Sequence, residues 1–213
     1  MTSGIIKHTI LVTGFEPFGG QSINPALEAV KLLPHEIDGC TVKSVSIPVS
    51  YSASYETLRN YVEEFNPEFV IMVGQAAGRD ALTVERIAIN IDDCASPDND
   101  DDVRENSFID DNGPDAIFAT IPVCELVRDL KNKGIKAEVS NTAGTYVCNH
   151  LMYEMLNHSH EFEPYPHAGF VHVPLIPEQT ATGDMEGKPS MPLEDVVAGL
   201  TELLKFLPKA YNS

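Results

Sequence analysis

Short apolar runs alternate with amphipathic stretches along this chain. The run HTILVTG at residues 8–14 is mostly β-branched and predicts a short buried strand. The run FVIMVG at residues 69–74 is fully apolar, which predicts a strand covered on both faces. Between them, residues 52–65 repeat large apolar side chains at helical spacing. The pattern therefore predicts strands and helices in alternation.

The same reasoning extends to the rest of the chain. Strands are predicted at residues 8–14, 41–49, 69–74, 137–140 and 169–174, and helices at 24–33, 52–65, 122–133, 145–157 and 192–206. Residues 82–91 alternate well enough for a strand or a hairpin, whereas residues 92–115 are too polar and acidic for the core. This order predicts an α/β fold, a largely parallel twisted sheet with helices on both faces. No repeat or linker divides it, so residues 1–213 are expected to form a single domain.

Composition narrows the possible partners. The chain has 213 residues, of which 43% are hydrophobic, enough for one large core. Its formal net charge of −18 argues against nucleic acid or an anionic membrane as a partner. Residues 1–8 lack the pattern of a signal peptide, and no apolar run is long enough to span a bilayer, so a cytoplasmic protein is expected. The four cysteines lack the paired spacing of a disulfide frame or a zinc site, and no metal is expected.

Cys148 and His172 are the candidate chemical pair. Cys148 follows a predicted strand and a turn of small residues, which places it near the start of a helix, where free N–H groups favour a thiolate. His172 follows an apolar run and precedes Pro174, so it is expected at the carboxyl end of a buried strand, the edge where reactive groups of α/β sheets gather. The alternatives are a cysteine buried as a small hydrophobe and a histidine of the core or sheet edge. A hydrolase is the leading hypothesis.

Two further residues point to the same edge. Gln75 ends the third apolar run and is expected to reach the same cleft. Glu85 lies within an apolar alternating stretch, and its carboxylate is placed to accept the Nδ1–H of His172, as a catalytic triad requires. The alternative is a surface glutamate paired with Arg86 or Arg79, which the residues alone favour.

The sequences of two loops are less specific in the function that they indicate. The loop GFEPFGG at residues 14–20 lacks the spacing of a phosphate-binding loop, and Phe15 and Phe18 are expected either to wall an apolar pocket or to pack onto the core. The acidic run at residues 98–102 resembles a calcium loop only superficially. Val103 stands where such a loop needs glycine, and Ile109 where it needs glutamate, so a solvated loop is predicted.

In order and spacing, four motifs resemble those of the type I pyroglutamyl peptidases, or pyrrolidone-carboxylate peptidases. The resemblance covers residues 10–176, most of the chain. The motifs are GFEPFGG at residues 14–20 with NP at 24–25, GQAAGR at 74–79 with ERIAIN at 85–90, NTAGTYVCN at 141–149, and FVHVP at 170–174. The resemblance implies a three-layer α/β/α sandwich and a cysteine exopeptidase that removes N-terminal pyroglutamate. It implies no cofactor, and its bacterial members are typically cytosolic homotetramers.

The resemblance also implies roles for individual residues. Cys148 is the nucleophile, His172 the base and then the acid, and Glu85 the carboxylate that orients the histidine. The residues implied to hold or line the pyroglutamyl pocket are Phe15, Phe18, Asn24, Gln75, Tyr146 and Val147.

One position departs from the family pattern. Many members carry an arginine ten residues past the glutamate, and here that position is Ala95. Without it, the pKa of Cys148 is expected to depend on His172 and the helix terminus alone. Two rival functions follow: another cysteine amidase on the same fold, or a homologue that binds pyroglutamyl groups without turnover.

Overall fold

A mixed sheet with helices on both faces organises the chain. The structure is a computed structural model that describes residues 8–211, so the expectation about a signal peptide falls almost entirely outside the described residues. Within residues 8–211 the helices are α1 Pro25–Lys31, α2 Ser54–Phe65, α3 Val123–Asn132, α4 Val147–His158 and α5 Leu193–Tyr211. The strands of the same range are β1 Thr9–Phe15, β2 Glu36–Ile37, β3 Cys40–Ile47, β4 Phe69–Gln75, β5 Leu82–Glu85, β6 Ile87–Ile89, β7 Asp92–Cys94, β8 Arg104–Ser107, β9 Ala116–Phe118, β10 Ala137–Ser140 and β11 His167–Val173.

In the described part of the chain, seven strands form the main sheet, in the order β10-β5-β11-β4-β1-β3-β2. The central strands β11, β4, β1 and β3 are parallel to one another, which confirms the predicted largely parallel sheet. β5 and β10 run parallel to each other but antiparallel to β11, and β2 runs antiparallel to β3. The four parallel strands therefore bring their carboxyl ends to one edge.

Alternating side chains divide the core into two halves. Ile10 and Val12 of β1 pack with α1, α3 and α5, whereas Leu11 between them packs with α2 and α4. Because successive strand residues point to opposite faces, each central strand contributes apolar side chains to both halves. The result is the three-layer α/β/α sandwich that the sequence resemblance implied.

Local sequence explains where α1 begins. Asn24 accepts a hydrogen bond from the backbone N–H of Ala26 at 3.0 Å, and Pro25 occupies the first helical position. Asn24 therefore caps the helix, and Pro25 lies at a position whose N–H would have no partner inside the helix. It confirms the predicted helix start, and it ties Asn24 to the loop that follows β1.

Two expectations about the middle of the chain need correction. Residues 82–91 form two short strands in different sheets, β5 in the main sheet and β6 paired with β9. Residues 92–115 are not a simple solvated loop, because β7 pairs with β8 and the side chains of Asp92 and Asp98 are buried. Asp92 Oδ2 lies 2.8 Å from His150 Nδ1, and Asp98 accepts backbone N–H groups, so acidic side chains here are structural. Hydrophilic composition alone does not reveal such partners.

No helix found in residues 8–211 is both long enough and apolar enough to cross a membrane.

Candidate active site

A cavity of about 320 Å³ opens at the edge where the central parallel strands end. The ends of β1, β4 and β11 and the turn before α4 surround it. Eight of the residues predicted for catalysis or substrate binding line it: Phe15, Phe18, Asn24, Gln75, Tyr146, Val147, Cys148 and His172. The ninth, Glu85, lies behind His172 and contacts its ring. The structure therefore brings all nine together.

Cys148 is the second residue of α4, at the helix start that the sequence predicted. The capping residue Tyr146 provides no side-chain hydrogen bond to the helix. Along α4, His150 is the first residue whose backbone N–H donates to a carbonyl in the described structure; the acceptor is Tyr146, at 3.2 Å. The N–H groups around Cys148 are therefore available to a negatively charged oxygen in the cavity.

The absence of a side chain at Gly74 lets Cys148 reach the sheet. A Cβ atom built on Gly74 would lie 3.0 Å from Cys148 Sγ and 2.8 Å from the Phe170 ring. Gly74 is paired with His172 across β4 and β11. Cys148 Sγ thus lies above the strand pair that carries His172, and both side chains open into the same cavity.

His172 and Glu85 form a buried hydrogen-bonded pair. The sheet register places Thr83 opposite His172, so Glu85, two residues further along β5, shares the face of the histidine. The Nδ1 atom of His172 lies 2.8 Å from Glu85 Oε1, and both side chains are almost fully buried. A carboxylate oxygen that accepts Nδ1–H leaves Nε2 unprotonated in the neutral ring, ready to accept a proton.

Arg79 joins this pair from the connection between β4 and β5. Its Nη1 donates to Glu85 Oε1 at 2.6 Å and also to the hydroxyl of Thr83. Its Nη2 donates to the carbonyl of Thr142 at 3.0 Å, in the turn before α4. Glu85 thus contacts His172 and Arg79 at once. The alternative was right about the pairing with Arg79 but wrong about the surface, because Glu85 is fully buried. The arginine that follows it in sequence, Arg86, instead donates to Cys124 Sγ at 3.8 Å.

Burial displaces the pKa values of the two reactive groups in opposite directions. Burial, with a smaller contribution from the Glu85 charge, raises the pKa of Cys148 to about 12, and Arg79 opposes this rise. Burial lowers the pKa of His172 below its ordinary value, although the hydrogen bond to Glu85 opposes that change. A thiol and a neutral imidazole are therefore the favoured forms. Burial of the thiol therefore opposes the preference for a thiolate that was expected at the helix start.

Aromatic side chains form the apolar wall of the cavity. Phe15, at the end of β1, is buried, and its ring centroid lies 6.4 Å from that of Phe170. The Phe18 ring lies 6.0 Å from the Tyr146 ring, and the Tyr146 hydroxyl donates to the carbonyl of Pro97 at 2.8 Å. The two expectations for Phe15 and Phe18 hold together, since both pack on the core and both line the cavity.

Two amides line the polar side of the cavity. Asn24 Nδ2 donates to the carbonyl of Glu16 at 3.0 Å, which ties the loop between Phe15 and Phe18 to the start of α1. Gln75, the last residue of β4, accepts a hydrogen bond at Oε1 from Gln179 Nε2 at 2.9 Å. Both amides are therefore held from behind by the protein.

The acidic segment 92–115 flanks the cavity. The hydroxyl of Thr145 donates to the carbonyl of Asp93 at 2.6 Å, and Asp98 Oδ2 accepts the backbone N–H of Tyr51 at 2.8 Å. Ala95 lies in this flanking stretch and is exposed. The expectation that the Cys148 pKa depends on His172 and the helix terminus alone is wrong, because Glu85 raises it and Arg79 lowers it.

Asn149 is a further residue that supports the site, and it has no predicted role. Its side chain accepts the N–H of Ile89 at 3.0 Å and donates to the carbonyls of Ile89 and Ile91 at 2.8 Å and 3.0 Å, which anchors the start of α4 to β6. The signal available in the sequence was a polar residue directly after Cys148 at the start of a helix whose later residues are largely apolar. Gln179 was also missed, and its only sequence signal was a glutamine shortly after the strand of His172.

Comparison with known proteins places this geometry in context. The family model described as pyroglutamyl peptidase matches residues 8–206. The chain is 44% identical over 201 residues to pyrrolidone-carboxylate peptidase 1 of Caldanaerobacter subterraneus, covering 94% of this chain and 98% of that protein. It is 46% identical over 192 residues to pyrrolidone-carboxylate peptidase of Lactobacillus helveticus, covering 90% and 94%. The crystal structure of pyrrolidone carboxyl peptidase from Fervidobacterium islandicum superposes with a TM-score of 0.91 at 40% identity, covering 95% of this chain and 99% of that one.

Proposed function

The chain belongs to the pyroglutamyl peptidase family, and we propose that Cys148, His172 and Glu85 carry out its reaction, the removal of N-terminal pyroglutamate from peptides. The observation that carries this assignment is the pair of His172 and Glu85, joined at 2.8 Å, beside a cavity that also holds Cys148. Other described cysteines lack this setting. Cys40 is buried at the far end of β3, and Cys124 is exposed on α3.

The reaction begins with proton transfer. As the Cys148 sulfur attacks the scissile carbonyl, its proton passes to Nε2 of His172. Glu85 accepts Nδ1–H and stabilises the imidazolium that forms. Backbone N–H groups at the start of α4 stabilise the oxygen that becomes negative. Because the favoured resting forms are neutral, His172 must accept the thiol proton before or as the sulfur attacks.

The second half of the reaction releases the products. The imidazolium of His172 donates its proton to the leaving amine as the C–N bond breaks, which leaves a thioester on Cys148. Water then attacks the thioester while His172 Nε2 accepts a proton from it. The C–S bond breaks, the sulfur recovers a proton from His172, and free pyroglutamate leaves. No step requires a metal or an organic cofactor.

The cavity explains why a lactam is accepted. Pyroglutamate has a neutral ring in place of a charged α-amine, and burying an unpaired ammonium among apolar side chains is costly. Phe15, Phe18 and Val147 provide apolar contact for the ring, with Asn24 and Gln75 nearby as polar groups. Peptides with a free N-terminus are therefore excluded by the cost of desolvating their charge.

Hydrolysis of a pyroglutamyl chromogenic amide tests this assignment. Cys148→Ser should lower kcat by at least about a thousandfold, because a hydroxyl is a far weaker nucleophile than the thiol at this site. Cys124→Ser, at an exposed cysteine outside the cavity, is the matched control and should retain wild-type kinetics. Iodoacetamide should inactivate the wild type and the control alike. Full turnover by Cys148→Ser would refute the assignment, and equal turnover of other blocked amides would favour a broader cysteine amidase.

The family resemblance supports a proposal about assembly and location. We propose that residues 1–213 act as a single domain in a cytoplasmic homotetramer. Light scattering coupled to size-exclusion chromatography measures the assembly directly. A monomer that turns over pyroglutamyl amides at full rate would overturn the proposed homotetramer.

A further inference from the structure

Gln179 lies behind the cavity and contacts three segments of the chain. It ends a single turn of 3-10 helix, Pro177–Gln179, which follows β11, and its side chain is buried. Its Oε1 accepts the backbone N–H of Ile176 at 3.1 Å. Its Nε2 donates to Gln75 Oε1 at 2.9 Å and to the carbonyl of Ile23 at 3.4 Å.

These partners leave only one orientation for each amide. A backbone N–H can only donate, so the Gln179 atom facing Ile176 must be its oxygen. A backbone carbonyl can only accept, so the atom facing Ile23 must be the nitrogen. That nitrogen also faces Gln75, which must therefore present Oε1 to it. The orientation of the Gln75 amide is thus fixed by two main-chain groups acting through Gln179.

The Nε2 atom of Gln75 is consequently the group left for the cavity. Gln75 lines the cavity, whereas Gln179 does not. Among residues 8–211, no protein acceptor is hydrogen-bonded to Gln75 Nε2. The cavity wall therefore carries an amide whose unpaired polar group is a donor, while its oxygen is turned toward Gln179.

We propose that Gln179 is a positioning residue that holds Gln75 Nε2 as a hydrogen-bond donor to the ring carbonyl of the bound acyl group. The proposal rests on the proposed function, since the ring carbonyl is what separates a pyroglutamyl group from a prolyl group of similar size. Rotation of the Gln75 amide would turn an oxygen toward that carbonyl, which leaves two acceptors facing each other. Recognition of the lactam thus depends on a residue outside the cavity.

Gln179→Glu tests the proposal because it replaces the donor that faces Gln75 with an acceptor. One carboxylate oxygen still accepts the Ile176 N–H, but the other accepts rather than donates, so the Gln75 amide rotates. We expect KM for a pyroglutamyl amide to rise roughly tenfold or more, the scale of one lost hydrogen bond to a buried group. The rate of Cys148 alkylation by iodoacetamide should stay within about twofold of wild type, because the thiol and His172 are untouched. Glu178→Gln, one residue away and exposed, is the control and should leave KM unchanged.

A double-mutant cycle separates positioning from general loss of structure. In a Gln75→Leu background, Gln179→Glu should raise KM by less than about twofold further, since Gln179 acts through Gln75. If the two effects multiply instead, Gln179 has a structural role only and the proposal is wrong. Gln179→Met, which keeps the length of the side chain without a donor, replaces Gln179→Glu if the charged variant does not fold. A wild-type KM in either folded variant would overturn this inference alone, whereas a wild-type enzyme inactive on pyroglutamyl amides would overturn the proposed function.

Discussion

At the scale of single residues, the protonation states of Cys148 and His172 set the pH range of the reaction. Turnover requires a neutral imidazole that can accept the thiol proton. Burial lowers the pKa of His172 below its ordinary value of 6.5, so the neutral form persists at more acidic pH. The acidic limb of kcat/KM should therefore lie below pH 6.5. A limb at or above that value would contradict the assigned environment of His172.

Glu85→Gln gives the matching prediction for the partner of His172. The hydrogen bond and the charge of Glu85 both raise the pKa of His172, so loss of the charge should move the acidic limb further toward low pH. Glutamine still accepts Nδ1–H but does not stabilise the imidazolium as well. We expect kcat to fall by roughly 10²- to 10⁴-fold, less than in His172→Ala. Wild-type kinetics in Glu85→Gln would return Glu85 to a purely structural ion pair with Arg79.

At the scale of secondary-structure elements, Arg79 connects three parts of the fold that hold the reactive groups. From the β4–β5 connection it reaches Glu85 on β5 and the Thr142 carbonyl in the turn before α4. Arg79→Met should lower kcat by roughly tenfold or more, because a buried carboxylate loses its charged partner and the turn before Cys148 loses a brace. Arg86→Met is the matched control, since Arg86 contacts Cys124 instead. Equal effects of the two variants would contradict a specific role for Arg79.

The elements of the fold differ in how far the sequence predicts them. β4 and β10 are strongly patterned, and both are found at or within one residue of the predicted bounds. The split of residues 82–91 at Arg86 was not predictable, because alternation continues across it while the two strands join different sheets. The burial of Asp92 and Asp98 was equally hidden, since their partners, His150 and backbone N–H groups, are distant in sequence. Periodicity predicts local structure, but it does not predict long-range polar partners.

In the candidate site, too, local pattern predicts individual residues but not their long-range contacts. Cys148 and His172 could be found from their places at a helix start and a strand end, because those places follow from local pattern. The contact of Glu85 with His172 depends on β5 running antiparallel to β11, which the predicted parallel arrangement did not contain. Gln179 escaped notice because its importance comes from hydrogen bonds to Ile23 and Gln75, far away along the chain.

At the scale of the whole molecule, charge is unevenly distributed around the cavity. Residues 92–115 hold ten acidic residues and one arginine, a net charge of −9, half of the total of −18. This segment flanks the cavity through the contacts of Thr145 with Asp93 and of Tyr146 with Pro97. A substrate that enters the cavity passes beside this segment, whose negative field attracts cations and repels anions.

Substrate charge should therefore matter, and salt should weaken its effect. At low ionic strength we expect kcat/KM to be higher for a pyroglutamyl-lysyl peptide than for a pyroglutamyl-glutamyl peptide, by roughly tenfold. The ratio should approach one near 1 M salt, where the Debye length shrinks to about 3 Å.

Asp100→Asn with Glu105→Gln, two exposed positions in the acidic segment, should reduce the low-salt ratio. Glu194→Gln with Asp195→Asn, on α5 across the sheet, removes the same charge and should leave it unchanged. If the ratio of kcat/KM values does not change with salt, direct contacts and not the electrostatic field determine the preference for the residue after pyroglutamate.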